Sequence, residues 1–119
     1  VQKNIPVKGA KALLLGFTFK ENCPDVRNTR VIDIYKDLTE FGLDVTVFDP
    51  WVDLEEVKLE FGITALNKKT ELKENYSTII LAVSHNEFRD LEITNLLAEN
   101  SFVYDIKGFW PKEIINGRL

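Results

Sequence analysis

Residues 12–30 read ALLLGFTFKENCPDVRNTR, and the fold is decided there. Ala12–Phe17 is a continuous apolar run apart from Gly16, the pattern of a strand buried on both faces. A polar stretch, Thr18–Asn28, follows it. Then Val31, Ile34, Tyr35 and Leu38 recur at helical spacing and form one apolar stripe. Asn28 or Thr29 is placed to cap that helix, and Gly42 to end it. Strand, polar loop and amphipathic helix make the opening unit of an alternating α/β chain.

The rest of the chain repeats the alternation. Val45–Phe48 reads as a second strand closed by Asp49-Pro50. Asp53–Phe61 reads as a helix, with Leu54, Val57 and Phe61 on one face and Gly62 after it. Ile63–Leu66 suits a short third strand, Thr70–Asn75 a helical turn, and Thr78–Val83 a fourth, buried strand. Ser84 and Glu87 stand in capping-box spacing at the start of a further turn. Asn95–Asn100 suits a short helix, Phe102–Ile106 a fifth strand and Pro111–Ile115 a terminal turn or helix. Residues 1–10 read as a linker with Pro6 and Gly9 as breakers, and 11–119 as one domain. The predicted fold is a Rossmann-like, doubly wound α/β sheet. It is mainly parallel, with about five strands in the order 3-2-1-4-5 and helices on both faces.

Composition narrows the function classes. The chain has 119 residues, 45% hydrophobic, with eight Phe and two Trp, enough for one packed core. Neither a signal peptide nor a membrane-length apolar run is visible, which points to a cytoplasmic protein. One cysteine, Cys23, cannot form an internal disulfide, and with one histidine it cannot build a zinc site, so no metal is expected. A net charge of −4 argues against a general nucleic-acid surface, yet leaves room for a small anion bound by local charge.

In a doubly wound sheet, ligands bind beyond the carboxyl ends of the strands, where the strand order reverses. The loop after the first strand carries Lys20, Arg27 and Arg30 and runs into a helix N-terminus. Free N–H groups and cations together suit a phosphate. The same charges also suit a solvated loop, with Asp25 paired to Arg27 or Arg30. Lys107, at the end of the fifth strand, points toward the same rim as Lys20. Cys23 and His85 could form a nucleophile and base, but no third group orients them, so both read as structural and His85 as a residue at a helix start. No G-x-G-x-x-G follows the first strand, so Asp49 reads as a turn residue and not as a ribose ligand. A receiver domain would have similar length and strand order. It needs an acidic pair after the first strand, where Thr18-Phe19-Lys20 stands, and an acceptor aspartate near Leu66-Asn67, where there is none.

The run LGFTFKENCPDVRNTR resembles the opening of the C-terminal domain in the UDP-glucose/GDP-mannose dehydrogenase family: a strand ending in G-x-x-F-K, a short loop, then D-x-R and a helix. VKGAK, DVTVFDP, AVSHNEF and YDIKG follow the family's order, so the resemblance covers nearly the whole chain. It implies a UDP-sugar-binding domain of an NAD-dependent enzyme that oxidises C6 of a nucleotide-bound sugar to a carboxylate. It implies that Phe19 and Lys20 contact the UDP-sugar, that Lys107 at the end of the fifth strand does so too, and that Arg27 reaches toward NAD. Lys107 departs from the arginine that many UDP-glucose enzymes carry there. With CPDVRNT, SHNEF and DIKG, it makes the chain more similar to the branch acting on UDP-N-acetylhexosamines for surface polysaccharides. The catalytic cysteine and the NAD fingerprint would lie in N-terminal and central domains, leaving no catalytic residue here and an inactive fragment. Full-length chains would form a homodimer. A non-catalytic, Rossmann-like nucleotide-binding or regulatory module is the other class that fits these residues.

Overall fold

The computed structural model describes residues 9–111 and, as backbone, the strand at 117–118. Four strands of substantial length, β1 (Lys11–Leu15), β2 (Asp44–Phe48), β3 (Tyr76–Leu81) and β4 (Leu97–Asp105), lie parallel, and the two-residue β5 (Gly117–Arg118) extends them. The order is β2-β1-β3-β4-β5. The chain steps from β1 outward to β2 and then back across to β3, so the order reverses at β1. Register makes the strand ends level. Leu15 pairs with Phe48 on one side and Leu81 on the other, and Leu81 pairs with Asp105. The loops beyond these residues therefore leave the sheet side by side.

Alternation along each strand sends side chains to two cores. Leu14 and Val47 face one side, where α1 (Val31–Glu40) contributes Val31 and α2 (Leu54–Phe61) contributes Val57. Leu13, Leu15, Ile79, Leu81 and Val103 face the other, under Phe88, Leu91, Ile93 and Trp110. Ala12–Leu15 have no exposed surface, as expected of a central parallel strand. Each buried Leu there contributes about 1.5–3 kcal/mol of transfer free energy. Helical segments cover both faces, but unequally among the described residues: both α-helices pack on one face, and 3-10 turns at Asn86–Phe88 and Ile93–Asn95 cover the other.

Several local expectations hold. The Asp53 carboxylate accepts from the N–H groups of Glu55 and Glu56 and so caps α2, and Gly62 ends it with φ +70°. Gly42 follows α1 with φ +91°. The start of α1 differs from the expected cap at Asn28 or Thr29: Arg30 occupies the N-cap position without a capping side chain, and the Thr29 hydroxyl beside it accepts from Val31 N–H at 3.2 Å. A 3-10 turn over Lys69–Glu71 stands near the expected Thr70–Asn75 turn.

Three expectations are corrected. The expected strand Ile63–Leu66 reduces to one parallel bridge, Leu66 with Phe48, because Ile63 and Ala65 sink into the helix-side core and only Leu66 reaches the edge of β2. The expected helix Asn95–Asn100 is largely strand. Pairing of Tyr76 with Leu97 draws Leu97–Asp105 into the sheet, with an irregularity before Phe102 that absorbs Asn100 at φ +55°. The Ser84 capping box does not form: His85 occupies the N-cap position without a capping bond, and the Glu87 carboxylate instead accepts from Trp51 Nε1 at 2.9 Å. The expected linker up to residue 8 and most of Pro111–Ile115 lie outside the described residues.

Candidate functional site

A cleft of about 220 Å³ opens at the carboxyl ends of β1, β3 and β4. The loop after β1 supplies Thr18, Phe19, Lys20 and Glu21, and the start of α1 supplies Arg30, Val31 and Ile34. Ala82 and Val83 after β3, and Ile106 and Lys107 after β4, complete it. The floor is apolar and the rim is cationic, with Lys20, Arg30 and Lys107 against one acid, Glu21. Phe19, 53% exposed, adds an aromatic face to the rim. Apolar floor, aromatic edge and converging cations suit a ligand with a flat or sugar-like body and an anionic group. Phe19 and Lys20 from the loop after β1 and Lys107 from the end of β4 are brought together.

Arg27 is not. Its Nε donates to Asp25 Oδ1 at 3.1 Å and its backbone N–H donates to the same oxygen at 2.8 Å. The side chain is 75% exposed and stands outside the cleft lining. The hydrogen bond from Arg27 holds the Asp25 carboxyl below the usual carboxylate range, and the same bond raises the guanidinium. Asp25 pairs with Arg27, and its backbone carbonyl accepts from Phe19 N–H at 2.7 Å, closing the loop on itself.

Behind the rim lies a buried polar network. Asp49 and His85 have no exposed surface. Asp49 Oδ2 accepts from Phe17 N–H at 2.6 Å, Thr18 N–H at 3.1 Å and His85 Nε2 at 2.9 Å, while Oδ1 accepts from Trp51 N–H at 2.7 Å. His85 Nδ1 accepts from Asn22 N–H at 2.8 Å, which places the ring proton on Nε2. Nε2–H then faces both Asp49 and, at 3.0 Å, the Thr18 hydroxyl, which itself donates to the Lys20 carbonyl. Gly16 makes the close approach possible: at φ +94°, a Cβ there would stand 2.6 Å from Val83 Cβ. Asp49 is more than a turn residue and His85 more than a helix start. The available signal was polar residues at the ends of three apolar runs, but the register that makes them meet is not written in any one run. Cys23 is half-buried in the same loop.

Gly16 is spent on contact with Val83, Phe17 is buried, and every Asp49 oxygen is already engaged by protein donors. No acid remains there for a ribose hydroxyl. Among the described residues no cluster of metal-ligating groups occurs, and no helix is long and apolar enough to cross a membrane.

The chain is 44% identical, over its whole length, to a UDP-N-acetyl-D-glucosamine 6-dehydrogenase of Salmonella typhi, of which it covers 28%. It is 46% identical over 90% of its length to the enzyme of the same name from Pseudomonas aeruginosa, covering 26% of it. The chain thus spans about a quarter of the length of these curated relatives. The solved structure of the UDP-N-acetyl-mannosamine dehydrogenase Cap5O from Staphylococcus aureus superposes with a TM-score of 0.68 at 20% identity, over 92% of this chain and 25% of that one, a likeness of fold. Residues 13–112 match the model for the UDP-glucose/GDP-mannose dehydrogenase family, UDP binding domain, so the chain belongs to that family and the resemblance carried by its F-K…D-x-R loop is borne out.

Proposed function

We propose that the cleft binds the UDP portion of a nucleotide sugar and that the chain forms one wall of an NAD-dependent nucleotide-sugar 6-dehydrogenase. The observation that carries this reading is the convergence of Lys20 and Lys107 over an apolar floor at the point where the strand order reverses. Lys20 and Lys107 neutralise the diphosphate, Phe19 packs on the nucleotide sugar, and the two lysines reach it from strand ends that the sheet register makes level. Holding one end of the substrate this way orients C6 for oxidation elsewhere in the enzyme. The substrate is a UDP-N-acetylhexosamine or a UDP-hexose, and the product serves surface-polysaccharide synthesis.

Residues 11–119 act as the domain and 1–10 as its link to a central domain. NAD belongs to a region beyond this chain. Arg27, exposed and outside the cleft, is the group offered toward that region. The whole protein works in the cytoplasm as a homodimer of chains with N-terminal, central and UDP-binding domains.

Calorimetric titration with UDP, UDP-N-acetylglucosamine and NAD tests the reading. Binding of the uridine nucleotides, weakened about tenfold by Lys20→Ala, is expected, the scale of one lost charge-assisted contact. Binding of NAD in preference to UDP would sink it.

A further inference from the structure

The arch from Thr18 to Asn22 carries Phe19, Lys20 and Glu21 to the cleft, and one imidazole touches both of its feet. His85 Nε2 stands 3.0 Å from the Thr18 hydroxyl at the first foot. His85 Nδ1 accepts from Asn22 N–H at the second, at 2.8 Å. The second foot is clasped twice, because Asn22 Oδ1 accepts from the N–H of Asn86, the residue after His85, at 2.9 Å. Asn22 holds φ +55° to make this geometry, a conformation that Asn tolerates better than most residues. The span between the feet is fixed from inside as well, through the Thr18 hydroxyl donating to the Lys20 carbonyl.

We propose that His85 is a positioning residue for the cleft: it pins both feet of the Thr18–Asn22 arch so that Phe19 and Lys20 meet the uridine nucleotide in one preset geometry. The proposal rests on the cleft's reading as a UDP site and goes beyond it by naming the group that shapes the site without touching the ligand. Simple packing does not explain His85. A buried imidazole costs desolvation that a Phe in the same place avoids, unless both nitrogens are used. Here both are used, one as donor and one as acceptor, and each holds a different end of the arch. The ring is itself fixed. Trp51 stacks on it at 6.0 Å between centroids and 26° between planes, Phe88 packs at 5.5 Å, and Asp49 accepts from Nε2. A donor and an acceptor on separate ring edges are what a two-footed pin requires, and His85 is the one histidine of the chain.

The test compares the 119-residue chain with His85→Phe, His85→Asn and Thr18→Val. It uses amide hydrogen exchange, the imidazole ¹⁵N spectrum and calorimetry with UDP. In the wild type the ring should show the neutral Nε2–H tautomer and a protected Asn22 amide. His85→Phe should speed exchange at Asn22 and Asn86 and weaken UDP by about tenfold, the effect of one to two net hydrogen bonds, while Leu14 and Ile80 stay protected. His85→Asn, which can keep the acceptor facing Asn22, should restore Asn22 protection and part of the affinity. Thr18→Val should weaken UDP by less than His85→Phe. Unchanged Asn22 exchange in His85→Phe overturns the pin, and faster exchange with unchanged UDP affinity overturns its positioning role. If His85→Phe also exposes Leu14 and Ile80, the other two variants decide, and wild-type affinity in both rejects the proposal. A wild-type chain that ignores UDP defeats the cleft's reading and the positioning role together, whereas exchange alone still reports whether the pin exists.

Discussion

Two loops present the two lysines of the cleft, and they are built on opposite plans. After β4, Asp105 holds its own turn: Oδ1 accepts from Lys107 N–H at 2.9 Å, and Oδ2 from Phe109 N–H at 2.6 Å and Trp110 N–H at 2.8 Å. These three partners lie within five residues of Asp105 along the chain. After β1, the bonds within the loop, Phe19 N–H to the Asp25 carbonyl and the Thr18 hydroxyl to the Lys20 carbonyl, are joined by bonds from far along the chain. The loop backbone is gripped by Asp49, 32 residues from Phe17, and by His85, 63 residues from Asn22. The first lysine is set locally and the second by three strand ends acting together. The bonds to Asp105 join neighbours in sequence, whereas those from Asp49 and His85 require the sheet to have its register.

That contrast can be broken in steps. The largest effect is expected from Asp49→Ala, which strips the acceptor from buried donors on Phe17, Thr18 and His85 at once. A loss of about 3–5 kcal/mol is expected in urea unfolding. Asp105→Ala should cost less, about 2–3 kcal/mol, because Lys107 and Phe109 N–H are only partly buried and can turn to water. Equal losses would mean that the two plans do not differ in kind. Next comes Gly16→Ala, whose Cβ meets Val83 backbone nitrogen at 2.8 Å with φ at +94°. Strain of about 1–3 kcal/mol is expected, with a weaker UDP affinity as the arch moves off the β3 end. A neutral result would show that the arch tolerates a wider gap than the packing implies.

Two smaller effects sharpen the same comparison. Lys107→Ala should weaken UDP by about as much as Lys20→Ala, and both losses should shrink at high salt. If only Lys20 matters, the local clamp presents its lysine to something else. The smallest effect belongs to Asp25. Its carboxyl is held below the usual range by the Arg27 hydrogen bond, so any stability it adds is present above its unfolded pKa and lost as pH falls through the lower folded value. The pair is open to solvent, so the difference between wild type and Asp25→Asn should be small at neutral pH and vanish in acid. A large difference would give the exposed part of the loop a weight that its geometry does not suggest.

Elements with a local cause were legible in the sequence. The Ala12–Leu15 run announced a fully buried strand, Asp53 and Gly62 marked both ends of α2, and of the three cations read in the loop after β1, Lys20 and Arg30 line the cleft while Arg27 does not. Errors fell where a distant partner outbid local preference. Leu97–Asn100 entered the sheet because β3 supplied hydrogen bonds that a short isolated helix could not match. Ser84 lost its capping role because His85 was already committed to Asp49 and Asn22.

By itself the sequence determined an alternating α/β chain, a strand order that reverses at β1, and the residue types gathered on the cleft rim. Hydrophobic period, caps and breakers act over a few residues, and they are written in consecutive letters. Only the tertiary structure decided that Phe48, Leu15, Leu81 and Asp105 end level, and hence that Asp49, Thr18 and His85 meet. A shift of one residue in register would turn each strand's side chains to the opposite face and part those three groups. The arch geometry is therefore a property of the sheet and not of the loop that carries it.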